Sequence, residues 1–556
     1  MTTLVILRFL GIFAVYTGVT LALPALMFRR ILRGRSLAEQ FLMCYTFGNF
    51  YIINIVFLLQ LLHISNFFTL AGLTAVLSIV IGGRVNRIPL KQQAGNTWHL
   101  FGKLLRGRMK LKSAIFLFLG KCAAGIKRLA KFFYRHIVKN PIQSMLLLGI
   151  GVCLCWIYGR QIILVYGYRA SDIPVHMSWI NEMSRGKIFA KGVYPFGFHC
   201  MIYYLHAVFR FDTYVILCQF FFAQVIFMHL VLLAMLKQLC KTKYIPYIGT
   251  FVFLLGNFWS GQTYSRFYAT LPQEFGMIFV IPSIYFLIRF FQIPKQKLAD
   301  KETRLTLQCF AMAFSLTLAI HFYGTMIAGL CCIGIACGFC FRFLRKEYFR
   351  RIMFTGICSV FLAVLPMGIA FATGTPLQGS LGWGLSVING GKSSSSTDTE
   401  AETDEAETLE VSTGDDKNTV RVVKPDGTVM EIDVSDLPSA QENESGGQTQ
   451  TETTAPAVPK VSFGEKIRKI PGKAKNALSE MSSRILEFII KLDVKNIGYM
   501  ILASFALLLL LGFIFCVFRQ TEYGAMLMSM GFCMWIVTIL LCANLFGLPP
   551  LMDGAR

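Results

Sequence analysis

The chain is patterned as a series of apolar runs about 20 residues long, separated by short polar turns. A run of that length crosses a bilayer as a single helix. Twelve spans are expected, at roughly 3–27, 39–61, 67–83, 144–166, 213–236, 244–259, 273–291, 305–320, 324–341, 352–373, 496–518 and 523–546. Those at 244, 305 and 324 are short. The first run begins at Leu4 and ends in Arg29 and Arg30 with no small-residue cleavage site. It therefore reads as a retained helix and not a signal peptide. The expected fold is an all-α polytopic membrane protein of about 12 transmembrane helices.

Composition agrees with that pattern. Of 556 residues, 55% are hydrophobic and 15% charged, against about 25% charged in ordinary soluble domains. The net charge of +24 is unevenly distributed. Residues 391–460 hold 16 of the 30 acidic groups and five basic ones, so the remainder carries +35. In a soluble protein this excess would point to nucleic acid. Here the cations cluster between apolar runs, which points to cytoplasmic loops beside an anionic leaflet and to no nucleic-acid partner. The 16 cysteines lie almost entirely inside apolar runs. Neither Cys153-x-Cys155 nor Cys331-Cys332 has a matching pair at zinc-ligand spacing, so they read as small packing residues.

The basic turns also orient the spans. Arg29–Arg35, the 84–143 loop with 14 Lys and Arg and no acid, Lys237–Lys243, Lys295–Arg304 and Arg342–Arg351 all fall on one side of a twelve-span chain. Both termini, the 167–212 loop and the 374–495 loop are then expected outside the cell membrane. Five segments follow: a three-helix unit at 1–83, a basic cytoplasmic loop at 84–143, a membrane core at 144–373, an outer loop at 374–495 and a two-helix unit at 496–556. The stretches 97–112, 120–138 and 461–494 read as interfacial amphipathic helices. The 391–460 tract is too polar to bury a core and is expected to be disordered. Within it, Val420–Val434 reads as two strands around a Pro-Asp-Gly turn, marginal as an isolated hairpin.

Candidate chemistry follows from the scarcity of acids. Outside the tract there are 14. Setting aside those on cytoplasmic turns and on the 461–494 helix leaves Asp172, Glu182, Asp212, Glu274 and Asp553 near the outer mouth of the bundle. Acids so placed are functional candidates. The loop between the fourth and fifth spans concentrates the polar groups: Asp172, His176, Glu182, Arg185, Lys187, Tyr194 and His199. On a helix, Asp172 and His176 would share one face. A second outer turn carries Arg266 and Glu274, and a third carries His321. Arg266 suits a lipid phosphate, and Glu274 equally suits a helix N-terminus.

Asp172 just past a span, then Pro174-x-His176, a helical stretch and Tyr194-Pro195-Phe196-Gly197-Phe198-His199, resembles the first outer loop of the GT-C superfamily of membrane glycosyltransferases. The resemblance covers roughly 144–373. It implies outer juxtamembrane helices and an active-site role for Asp172. It also implies a sugar donor linked to polyprenyl phosphate, and an acceptor glycan, lipid or protein of the cell envelope. Asp172 would take the acceptor proton, and Arg266, Arg185 or Lys187 and His199 would face the departing phosphate. Some members use a divalent cation; one acid without an acidic cluster argues against a tight metal site here. Three spans and a basic loop precede the matching region, and a second acidic pair is missing. The competing reading is a carrier or flippase for a lipid-linked or small substrate. Against it stand the absence of an internal repeat and the sparse intramembrane charge, Arg8 and Arg160.

Overall fold

In the computed structural model, the described residues are 2–87, 138–165, 167–259 and 265–379. To these are added the strand segments 410–413, 419–423 and 429–433, and scattered positions at 102–134 and 524–533. The chain divides into two units, residues 1–391 with 494–556, and residues 392–493.

The first unit is helical throughout its described residues. Its elements are α1 (Thr2–Met27), α2 (Leu37–Leu61), α3 (Phe67–Asn86), α4 (Pro141–Leu164), α5 (Ile173–Ser184), α6 (Gly197–Phe209), α7 (Thr213–Leu239), α8 (Ile245–Trp259), α9 (Pro272–Gln292), α10 (Lys301–Ile320), α11 (Phe322–Gly338) and α12 (Lys346–Ala372). Eight of these, α1–α4, α7, α9, α10 and α12, are long and apolar enough to cross a membrane. The unit is therefore that of a multi-pass membrane protein. The expected spans at 244 and 324 correspond to α8 and α11, of 15 and 17 residues. The spans at 496–518 and 523–546, and the amphipathic stretches 97–112, 120–138 and 461–494, lie outside the described residues apart from scattered helical positions.

Local sequence sets the helix boundaries. Ser36 caps α2 by accepting from the Glu39 amide, and Asn66 forms a reciprocal capping box with Thr69 at α3. Asp212 accepts the Val215 amide at the start of α7. Pro141, Pro174 and Pro272 occupy first turns, where a missing N–H costs nothing.

The core runs through α2, α7 and α9, most of whose side chains are buried. Tyr16, Tyr45, Phe227 and Phe279 interlock there, and the Tyr16 hydroxyl lies 2.8 Å from that of Tyr45 and donates to Asn49 at 3.0 Å. Buried polar groups paired in this way join helices where lipid supplies no hydrophobic drive.

Contacts between turns define two ends. At one end Asn86 binds the backbone of Arg30, Arg35 pairs with Glu39 and Glu302, Gln238 binds Ser36, and Lys295 pairs with Glu347. Every expected basic turn with described contacts lies here. At the other end Gln60 donates to Met183 O at 2.8 Å, His63 Nδ1 lies 3.0 Å from Gly186 O, and Val193 N donates to Pro376 O at 2.8 Å. The helices alternate between these ends as the charge pattern requires.

In the second unit, β1 (Glu410–Thr413), β2 (Thr419–Val423) and β3 (Val429–Asp433) form an antiparallel sheet in the order β1-β2-β3. The β2–β3 register pairs Val423 with Val429, so the residues on either side of Pro425-Asp426-Gly427 pair as the expected two strands. The third strand, β1, was not expected from sequence. It adds the pairing that a lone hairpin lacks.

Candidate functional site

Two short amphipathic helices and three turns assemble the site at the end opposite the basic belt. Asp172 stands at the N-terminus of α5, with the His176 amide donating to its carbonyl at 3.1 Å. His176 is buried one turn on. α6 begins at Gly197, where an added Cβ would lie 2.8 Å from Ala319 O and 2.9 Å from Ile320 Cγ1. Only glycine permits this approach, and it brings His199 onto the end of α10. There His321 caps α11 by accepting the Tyr323 amide on Nδ1 at 3.2 Å. Upstream, Gly192 adopts φ +103° with the Gln378 backbone against it, a conformation open to glycine. This allows Val193 to bridge Leu377 and fixes Tyr194 beside His321, with ring centroids 6.2 Å apart.

The result is a cluster of three histidines. His199 Nε2 lies 3.1 Å from His176 Nδ1, Trp179 packs against both rings, and Phe196 packs against His199. Burial pushes His176 down to about 4, with the Asp172 carboxylate opposing the shift. Burial likewise pushes His321 down to about 4, reinforced by His176 and then Arg266. His199, fully buried beside both other rings, is held well below its ordinary value. All three are neutral near pH 7. Since His321 Nδ1 accepts a hydrogen bond, its proton resides on Nε2. Burial raises Tyr194 to about 12, followed by the fields of Asp172 and Tyr323.

The outer acids have different partners. Glu182 pairs with Arg185 at 2.7 Å, and Arg185 is 72% exposed. Asp212 caps α7. Glu274 is buried and receives Arg266 Nε at 2.5 Å, while Arg266 Nη2 donates to Gln273 at 2.8 Å. Asp172 makes no ion pair among the described residues. Its Oδ1 accepts from the Ser171 hydroxyl at 3.3 Å. It is exposed, and its field reaches His176 and Tyr194.

Of the residues singled out from sequence, Asp172, His176, Tyr194, His199 and His321 therefore come together, with Arg266 and Glu274 as a bound pair alongside. Glu182 and Arg185 form their own pair at the far end of α5, and Lys187 is exposed beyond it. His199 is closed to solvent and supports His176 from behind. Among the described residues, no group of three or more His, Cys, Asp or Glu is placed to hold a metal ion.

Sequence reasoning overlooked Arg169. Its guanidinium lies over Phe221 at 4.6 Å and over Tyr268, in the turn that carries Arg266, at 5.7 Å. It donates to Val165 O at 2.8 Å and its Nε is buried without a partner. Burial lowers it to about 10, so it stays charged at neutral pH. Its position three residues before Asp172 was the available signal. Compared with known proteins, the chain matches no family model, no curated protein and no solved structure.

Proposed function

We propose that this protein is a glycosyltransferase of the GT-C type. It has about twelve spans, lies in the cell membrane with both termini and the site outside, and moves a sugar from a polyprenyl-phosphate donor to a cell-envelope acceptor. The observation that carries the reading is the state of Asp172. Of the four described acids at this end, Glu182 and Glu274 are each bound to an arginine and Asp212 to a helix N-terminus. Asp172 is exposed and, among these four, is the acid held by neither an arginine nor a helix-terminus amide, and its field reaches the neutral imidazole of His176.

In the proposed reaction the acceptor hydroxyl oxygen bonds to the anomeric carbon as the bond from that carbon to the phosphate oxygen breaks. Asp172 takes the acceptor proton, and polyprenyl phosphate departs with the bonding electron pair. Arg266 suits the growing phosphate charge: Glu274 and Gln273 engage its Nε and Nη2, which fixes the guanidinium plane and leaves further N–H groups for oxygen. His321 Nε2–H and the Tyr194 hydroxyl supply neutral donors suited to sugar hydroxyls. The test is reconstitution of the full chain in proteoliposomes with a polyprenyl-phosphate-linked radiolabelled sugar. Label appearing on an envelope acceptor fits the reading. Label crossing the bilayer still attached to polyprenyl phosphate would identify a carrier instead.

A further inference from the structure

The basic end contains a second site. The chain leaves α1 through a short helical turn, Arg29–Leu32, that packs against the end of α3. Asn86 clamps the two together: its Oδ1 accepts the Arg30 amide at 3.0 Å, and its Nδ2 donates to Leu26 O and Met27 O at 3.2 and 3.1 Å. Between them lies a cavity of about 630 Å³. Arg29, Arg30 and Arg33 line its polar side, and Leu26 and Ile79 its apolar side.

Among the described residues, no acid pairs with the arginines of this cavity. Among the described residues, the acids of the basic end pair elsewhere: Glu39 and Glu302 with Arg35, and Glu347 with Lys295. None reaches Arg29, Arg30 or Arg33, although Arg35 is only two residues beyond. Arg33 follows the helical turn, four residues after Arg29 and three after Arg30, and all three arginines line the same cavity. The apolar wall decides between a soluble anion and a lipid. Leu26 is 71% and Ile79 55% exposed, and both sit on helices of membrane-spanning length. The cavity therefore opens sideways, toward hydrocarbon.

We propose that this cavity binds an anionic phospholipid of the leaflet at the basic end, with the phosphate against Arg29, Arg30 and Arg33 and an acyl chain along Leu26 and Ile79. Basic pockets between membrane helices recognise phosphate headgroups in this way. The inference rests on the multi-pass architecture and is independent of the transferase reading.

The test is native mass spectrometry of the full chain, released from micelles containing phosphatidylglycerol or phosphatidylcholine. At least tenfold preferential retention of phosphatidylglycerol is expected. That preference should disappear in the triple variant R29Q/R30Q/R33Q. It should also disappear in Ile79→Trp, which fills the apolar side without touching charge and so guards against misinsertion of the triple variant. It should persist in R84Q/R87Q, which removes charge from the same end outside the cavity. Equal loss in R84Q/R87Q would mean diffuse surface attraction and overturn the proposal. So would retention unaffected by Ile79→Trp, or displacement of the lipid by millimolar inorganic phosphate.

Discussion

At the scale of single residues, two buried histidines, His176 and His199, and the partly buried His321 make the site sensitive to acid. Each is held below the value it would have unfolded, so the unfolded chain binds more protons once pH falls below about 6.5. Stability is then full above that pH and declines toward pH 4, where His176 and His321 titrate in the folded state. The melting temperature should fall between pH 7 and pH 5, and less steeply in His176→Gln. An acid-independent melting temperature would contradict the neutral cluster. Arg266 and Glu274 provide a second test. Glu274→Gln removes the charge partner of a guanidinium that remains about one-third exposed. The cost should be about 2 kcal/mol, below the 3–5 kcal/mol of a fully buried pair, readable in thermal or denaturant unfolding. The sequence made most of these residues visible because acids and histidines are rare outside the tract. It could not show that Glu182, Asp212 and Glu274 already have partners, since two of those partners act through side-chain orientation and the third through a helix terminus.

At the scale of elements, α5 and α6 position the chemistry through two glycines. Gly197 lets α6 meet the end of α10, and Gly192 lets the loop before it pair with residues 376–378. Gly197→Val should push α6 away, separate His199 from His321, and lower stability by about 1–3 kcal/mol, the usual cost of overpacking. Gly256→Ala, where nothing lies within 4 Å, is the control and should change the melting temperature little. The Tyr-Pro-x-Gly-x-His pattern marked the start of α6 in the sequence. The pairing of Val193 with a segment more than 180 residues later was not legible, because backbone bridges between distant segments leave no periodic trace. The β2–β3 hairpin was legible from its turn chemistry. The additional strand β1 was not, because Glu410-Val-Ser-Thr has a single apolar residue and no alternation.

At the scale of the molecule, the alternation of basic turns predicted which loops share an end, and the contacts among Asn86, Arg35, Glu302 and Lys295 place those turns together. Hydropathy made the long spans visible because a bilayer demands continuous apolar length. It placed α8 and α11 less securely because 15 and 17 residues extend only about 23 and 26 Å. Cysteine accessibility should report exposed Asn181 and Lys297 on opposite sides of the membrane, with Asn181 outside. Labelling of both from the same side would break the alternation and with it the location of the site. Asp172 is the proposed base on which transfer depends. In the reconstituted full chain, Asp172→Asn keeps the size of the side chain and removes its basicity. Transfer from a polyprenyl-phosphate-linked sugar should fall by about 10²-fold or more, with membrane-inserted protein unchanged and Glu182→Gln losing far less. Near wild-type transfer in Asp172→Asn would contradict the assignment, and loss confined to Glu182→Gln or Glu274→Gln would move the base to that residue.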